Sequence, residues 1–584
     1  MKKCKNQIHQ QIKGALLLFM LCFAFGSAFA QMNGSYTIDP SASGVATARV
    51  FKDWNSFVKS IYNVSTTVNP RTDGGPIVLG LDSVSAPVTV TVKSSNIKVE
   101  KNALNFPEIK GVSSKNTFVI DGNFQTYNCN LQYAPFRLTG IDYLTIKNLT
   151  IINGHNEPGG IWFNNQSDYN TITGCTVNFS NLKGVYTSTS YLYFSTLVNY
   201  PHVCSYGAAG PMGPPGSFNT ISSNTFLTSS VNSPGPYYAI TLNGSSNSYS
   251  TIPQNNTFTG NKIQNFGYSA IYQNYTNGNK IINNDISRLN SSQNGSAKMY
   301  GIYNTESYST ARSSEISNNN IHDLPFAGAK VATSNLESIF LSYNLNCIGN
   351  DNFHALFIEN TFFNIFTTNM NGFGLYFYQT EYAEINKNTI KDIGCNSNWY
   401  SFYVEVANNI NFLKNKCDNI KQYSNNGYLR NISLKDISGL WCNGNILNNN
   451  YSGGILYNIQ IISNNGTLAY NEFQDNIITN NSAVKSNTSL EILFLSKFAA
   501  TNHFKIYRNY CVGNTTLDSI GVHYFFLNDL MNCEIIGNVI AGNYANSQHI
   551  QIYSNGLSNS GYSAEVRNNT FQANTSLALS PSAS

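Results

Sequence analysis

Along most of the chain, apolar side chains bracket an asparagine in one recurring phrase, Φ-x-x-N-x-Φ, where Φ is apolar. In "EINKNTIKDI" (384–393) Asn388 lies three residues after Ile385 and two before Ile390. The phrase returns around Asn224, Asn261, Asn284, Asn319, Asn360, Asn415, Asn445, Asn476, Asn509, Asn538 and Asn569, at intervals of 23 to 41 residues. Two earlier copies, "IKNLTI" and "ITGCTV", carry Leu149 and Cys175 at the Asn position. A second phrase precedes many copies: "YAITLNG", "SAIYQNY", "YGIYNTE", "FGLYFYQ", "YSFYVEV". It starts on a small residue and then alternates with period two, which predicts a strand. Self-similarity at such intervals predicts a solenoid. Several strands per turn, loops of varying length and few helical stretches predict coils of parallel strands. A leucine-rich repeat also sets Asn before an apolar residue, but with Leu and a period of about 20 to 29. Here the apolar residues are Ile, Phe and Val, and the spacing is looser.

Two properties suit Asn to such coils. Its side chain tolerates the left-handed backbone region that sharp turns demand. Coils about 4.8 Å apart would also let an inward amide bond its copies above and below. Asn388 and its counterparts are therefore expected to turn corners and form a structural ladder. The pattern resembles the right-handed parallel β-helix family, the fold of pectate lyases and many secreted surface proteins. The resemblance covers residues 75–575 and implies an all-β rod of about fourteen coils, about 65 to 70 Å long at one strand spacing each. It implies a fold and not an activity.

The ends differ from the body. Lys2, Lys3, Lys5 and Lys13 precede the apolar run "ALLLFMLCFAFG", and "SAFA" supplies small residues at Ala28 and Ala30. This is the pattern of a cleaved signal peptide over 1–30, so a mature chain starting at Gln31 is expected to be secreted or displayed at the cell surface. No stretch is long enough to span a bilayer as a helix, so no transmembrane segment is expected in the mature chain. "DWNSFVKSIYN" predicts a short amphipathic helix with Asp53 as N-cap and Trp54, Phe57, Val58 and Ile61 on one face, within an N-terminal cap over 31–74. A loop insertion containing "GAAGPMGPPG" is expected near 181–216, and a disordered tail over 576–584.

Composition narrows the partners. The leader holds four of the 34 Lys+Arg and none of the 30 Asp+Glu, so the rest is formally neutral. That excludes the clustered positive charge that nucleic acid requires. Asparagine accounts for 88 of 584 residues, far above ordinary usage. With 41% hydrophobic and 13% aromatic residues the chain can nonetheless bury a core. Nine cysteines follow the leader, none in C-x-x-C and none at ligand spacing from a histidine, so neither metal nor cofactor is expected. Several stand at apolar positions of the repeat and read as small buried hydrophobes; one or two disulfides remain open.

The resemblance brings enzymes that cleave pectin-like polysaccharides, but their phrases are missing. There is no "WIDH", R-x-P-x-x-R, Asp-Asp pair, "GHG" or "RIK", and "NGHN" around His155 is a fragment. The strand phrase is more informative. If its apolar residues point inward, the residue between them points out. Coil by coil that position holds Trp162, Thr241, Tyr272, Tyr303, Phe340 (in "SIFLS"), Tyr376, Tyr403, Arg430, Leu456 and His523. Tyr272 to Tyr403 would form an external aromatic stripe, with Tyr378 and Glu405 one step along the same face. Such a stripe suits a polysaccharide or cell-surface glycan, and equally a sheet stabilised by its own aromatic contacts. A catalytic groove on this face would use Glu405 as base and Arg430 beside Tyr403 to stabilise a uronate carboxylate, with Glu381 as a further candidate. The leading expectation is a secreted, non-catalytic adhesin that binds polysaccharide. The alternatives are a polysaccharide lyase or glycoside hydrolase acting on uronic-acid-containing glycans, and a purely structural rod.

Overall fold

The computed structural model describes residues 31–62, 71–76, 81–131, 134–154, 160–164, 166–178, 216–227, 238–244, 252–266, 268–288, 298–306, 314–326, 338–367, 371–462, 470–484, 489–496, 503–516, 521–528, 532–545, 550–555, 563–572 and 574–576. The leader, Cys204, His155, nearly all of the expected insertion and residues 577–584 lie outside these. The chain is all-β, a parallel β-helix with three sheet faces per coil, in the right-handed sense usual for parallel strands joined by crossovers. The coil at 399–422 shows the plan. Trp399–Leu413 bends through two faces and Lys416–Gln422 makes the third. Each face stacks in register on its neighbours: Tyr403 on Tyr376 and Ser433, Phe412 on Ile385 and Cys442, Cys417 on Ile390 and Leu447. The second face runs unbroken from Met32–Ile38 through Val84–Val92 to Ser563–Arg567. The stacked sheet thus begins well before residue 75, because Met32, Tyr36 and Ile38 already point into the core.

The corners have a common construction. Oδ1 of Asn388 accepts from the backbone N of Asn360 (3.0 Å) and from its amide (2.9 Å). Its own amide donates to the Phe357 carbonyl (2.7 Å) and to Asn415 Oδ1 (3.0 Å). The same bonds link Asn224, Asn261, Asn284, Asn319 and Asn360, then Asn415, Asn445, Asn476, Asn509, Asn538 and Asn569. Each buried amide is satisfied by its copies, as burial requires. One expectation is corrected: none of these asparagines is left-handed. The residue just before takes that conformation, Lys387 at φ 54°, Lys414 at 53°, Gly444 at 66°, Asp475 at 55°. The tight turn falls one residue early, which leaves the Asn free to aim its amide inward. Two further ladders, unmarked in the sequence reading, repeat the device: Asn170–Asn219–Asn256–Asn279, and Asn450–Asn481–Asn514–Asn543–Asn574. Asn170, Asn219, Asn450 and Asn481 again follow left-handed residues, Tyr169, Phe218, Asn449 and Asn480.

At the N-terminal end the helix Trp54–Ile61 follows Asp53, whose carboxylate accepts from the Ser56 backbone N at 2.6 Å. Trp54 meets Tyr127 and Phe136 edge-on at 5.4 and 5.5 Å, closing that end of the apolar interior. No helix among the described residues is long and apolar enough to cross a membrane. The eight described cysteines after the leader are buried and unpaired, and burial pushes the Cys129, Cys395 and Cys511 thiols up to about 12. A carboxyl also lies inside. Glu306 is 2% exposed, with the Asn304 amide donating to it at 3.4 Å, and burial raises its pKa to about 7.

Two outcomes follow from this interior. Asn388→Ala leaves the Asn360 backbone N without its acceptor, and it removes one bond each from the Asn360 amide, the Phe357 carbonyl and Asn415 Oδ1; it should cost about 2 to 4 kcal/mol. Hydrogen exchange should show protection lost at the backbone amide of residue 360 and kept at that of residue 388, which still donates to Asn415 Oδ1. For Glu306, the folded state keeps a proton that the unfolded chain releases between about pH 4.5 and 7. That stabilisation is complete below about pH 4.5 and fades by about pH 7, a loss of about 3 kcal/mol. Urea midpoints of the wild type should fall over this range relative to Glu306→Gln, which cannot titrate.

Candidate functional site

The outer surface of the first face is the feature that sets this solenoid apart from a plain rod. Its strands do not alternate strictly. Gly301–Ile302, Gly374–Leu375 and Ser401–Phe402 are pairs of consecutive buried residues, so outward positions fall three apart on either side. Two aromatic columns result. The first is Tyr272, Tyr303, Tyr343, Tyr376 and Tyr403, with ring centroids 4.5, 5.1, 4.9 and 5.2 Å apart and planes within 12° of parallel. The second is Tyr300, Phe340, Phe373 and Tyr400, at 5.1, 4.7 and 4.8 Å. The columns meet edge-to-face, for example Phe373 with Tyr376 at 5.5 Å and 90°.

This register revises the single stripe expected from sequence. Phe340 belongs to the second column and is 7% exposed, while Tyr343 takes the place assigned to it. Thr241 stacks on Tyr272 but is buried, and Leu456 points into the core against Leu429. Trp162 is buried in a separate three-stranded sheet, with the Arg137 guanidinium 5.7 Å from its ring. His523 is in backbone register with Glu491, in line with the second column. The error has one source: "SIFLS" and "GILYN" contain two apolar phases, and period two alone cannot say which faces out.

The charged groups are set at the edge of these columns. Tyr378, Glu405 and Lys435 form a third outward row. Glu405 accepts from Lys435 Nζ at 2.5 Å and from the Tyr403 hydroxyl at 3.1 Å. The hydrogen bond to Glu405 raises the Lys435 pKa. Arg430 pairs with Tyr400 rather than Tyr403; it donates to the Tyr400 hydroxyl at 2.6 Å and lies 4.9 Å from its ring. Five residues along the strand therefore separate Arg430 from the row of Glu405 and Lys435, about 16 Å at roughly 3.3 Å each. Glu381 lies beyond the corner, in register with Asn408, whose amide donates to it at 3.4 Å. The three candidate catalytic residues do not gather around one point.

The hydroxyls of the first column differ among themselves. Burial raises the pKa of Tyr303, Tyr343, Tyr376 and Tyr403. Tyr403 is engaged by Glu405. The hydroxyls of Tyr303, Tyr343 and Tyr376 make no hydrogen bond to the described residues, and none is sealed from solvent. Interior rings of the column have both faces covered by neighbours, so they offer a ligand their edges and hydroxyls.

Two other surface clusters escaped the sequence reading. His322 lies between Asp285 (2.6 Å) and Asp323 (2.7 Å) and stacks on Phe363 at 4.8 Å. Burial opposes its charge, but the two carboxylates outweigh it and raise the imidazole pKa. Only the adjacent "HD" hinted at this, since Asp285 comes from the coil before. Tyr143, Tyr169 and Phe218 stack at 4.9 and 4.8 Å on an outer corner, each in the left-handed region.

No family model and no curated protein matches the chain. Among solved structures, a mannuronic acid specific polysaccharide family 6 lyase from human gut microbiota aligns over 93% of this chain and 91% of its own. The identity is 10% and the TM-score 0.24, too loose a likeness to transfer any residue's role.

The two columns should respond differently to substitution. Phe373→Ala removes a ring packed on Phe340, Tyr376, Tyr400 and Tyr403 and should cost about 2 to 4 kcal/mol. Tyr343→Phe keeps the stack and removes a hydroxyl that bonds none of the described residues, for a change under about 0.5 kcal/mol. Thermal melts of the two variants check this.

Proposed function

We propose that this chain is an exported polysaccharide-binding solenoid, acting as a surface or matrix adhesin through its tyrosine-lined first face. One observation carries the reading: a continuous row of tyrosines on an uninterrupted sheet, three of whose hydroxyls bond none of the described residues. Ion pairs such as Lys387–Glu359 and Arg508–Asp475 mark other parts of the outer surface. A row of phenols beside edge-on rings suits a ligand rich in oxygen and extended in one direction. The lysine-rich start, the short apolar run and the small residues at Ala28 and Ala30 support export. A lyase or hydrolase would need its acid–base groups within one sugar of each other. Arg430 and Glu405 are too far apart for that, and each already has a partner.

Native electrophoresis through gels containing a panel of neutral and uronic-acid polymers tests the reading. Retardation by at least one polymer is expected, with no unsaturated uronate appearing in the ultraviolet absorbance of the mixture. Free migration through every gel contradicts glycan binding; an absorbing product contradicts the non-catalytic part. N-terminal sequencing of protein recovered from the growth medium should begin at Gln31.

A further inference from the structure

The spacing of the tyrosines specifies more than the presence of a glycan. Between Tyr303, Tyr343 and Tyr376 the rings are 5.1 and 4.9 Å apart, set by the stacking of coils and not by side-chain choice. Rotation about the side-chain bonds cannot alter that step, because each ring is clamped between the rings above and below. It is also held from the side: Phe340 meets Tyr343 edge-on at 5.2 Å, and Phe373 meets Tyr376. The free hydroxyls therefore form a stiff row with one donor–acceptor group per coil, directed along the rod. A flexible patch would accept many shapes; a stiff row favours a ligand whose own oxygens repeat at the same step.

Building on the glycan-binding reading above, we infer that the ligand is an extended, β-linked polysaccharide lying parallel to the rod axis, one sugar per coil. In a flat β-linked chain each hexose advances by about one strand spacing, so successive sugars present oxygens to successive phenols. An α-linked chain of the same sugar coils away from the line after one or two contacts. Ring edges carry the positive part of the aromatic quadrupole, which favours sugar oxygens over C–H faces here. The row ends at Tyr403, whose hydroxyl is turned onto Glu405. Lys435 continues the third outward row from Glu405, so the coil after Tyr403 breaks the uniform surface. The uninterrupted tract from Tyr272 to Tyr403 thus limits the length of chain that can be read.

The test uses one sugar in two linkages: cello-oligosaccharides against malto-oligosaccharides, and β-linked glucuronan against amylose oxidised at C6 to α-linked glucuronan. Wild-type protein should bind at least one β-linked glycan at least tenfold more tightly than its α-linked counterpart. With oligosaccharides of that β-linked series, affinity should rise over the three sugars that face Tyr303, Tyr343 and Tyr376 and gain little beyond about five. Combined Tyr303→Phe, Tyr343→Phe and Tyr376→Phe should weaken binding about 10- to 100-fold, at a few-fold per hydrogen bond, with an unchanged melting temperature. Equal binding of α- and β-linked partners, or full affinity in the triple variant, overturns this inference and leaves glycan binding standing. Binding to no polymer at all overturns the glycan reading itself.

Discussion

A carboxamide buried between two apolar residues must find partners, and in this fold its only equivalents are one strand spacing away. An unmet amide would cost about 1 to 3 kcal/mol per group. At Asn388 the requirement is met by stacking the same residue above and below, with the backbone N of the neighbouring coil drawn in as well. Register follows from this. A coil shifted by one residue would leave every ladder amide without its copy and turn each apolar side chain outward. Three ladders at three corners therefore hold the coils in step without disulfides among the described cysteines, and the turn before each ladder residue absorbs the backbone strain.

The outer surface inherits that alignment. Side chains that point away from the core are stacked whether or not they are useful, and where they are aromatic they become columns with the spacing of the coils. Strand geometry adds a second effect. Two consecutive buried residues, as at Gly374–Leu375, bend the first face and bring two outward columns into edge-to-face contact. Gly374 is required there because a Cβ would lie 2.3 Å from the Ser401 carbonyl oxygen. The second column is then largely a support: Tyr300 and Phe340 are buried, and Phe373 is packed on four rings. The first column carries the free hydroxyls. Support and display are thus separate layers of one aromatic wall.

How much of this can be read in the sequence depends on the range of the interaction. The first ladder is visible because each member has apolar neighbours at fixed offsets, a local signal repeated twelve times. The other two are less so: Asn170 and Asn450 sit in Asn-rich stretches where many residues could play the part. The helix at Trp54 is legible from its cap and its apolar face. The aromatic columns are only half legible. Tyr272, Tyr303, Tyr376 and Tyr403 follow the small residue of their strands, but Tyr343 does not, because in "SIFLSYN" Leu341 and Ser342 replace the small–apolar pair seen in "YGIYN". Pairing between coils is what selects the phase, and one strand carries no record of its neighbour. The same holds for His322, whose partner Asp285 is 37 residues away.

The register of the first face is the claim on which the displayed row rests, and cross-linking measures it most directly. In-register neighbours lie close enough for a disulfide, whereas positions three residues out of phase exceed the roughly 7 Å limit between Cα atoms. A double variant with Tyr343→Cys and Tyr376→Cys should form a disulfide on mild oxidation, seen as a mass loss of two hydrogens. The pair Phe340→Cys with Tyr376→Cys should remain reduced under the same conditions. If the second pair closes and the first does not, Phe340 rather than Tyr343 stands in the row, and the wall described here is assembled in the wrong phase.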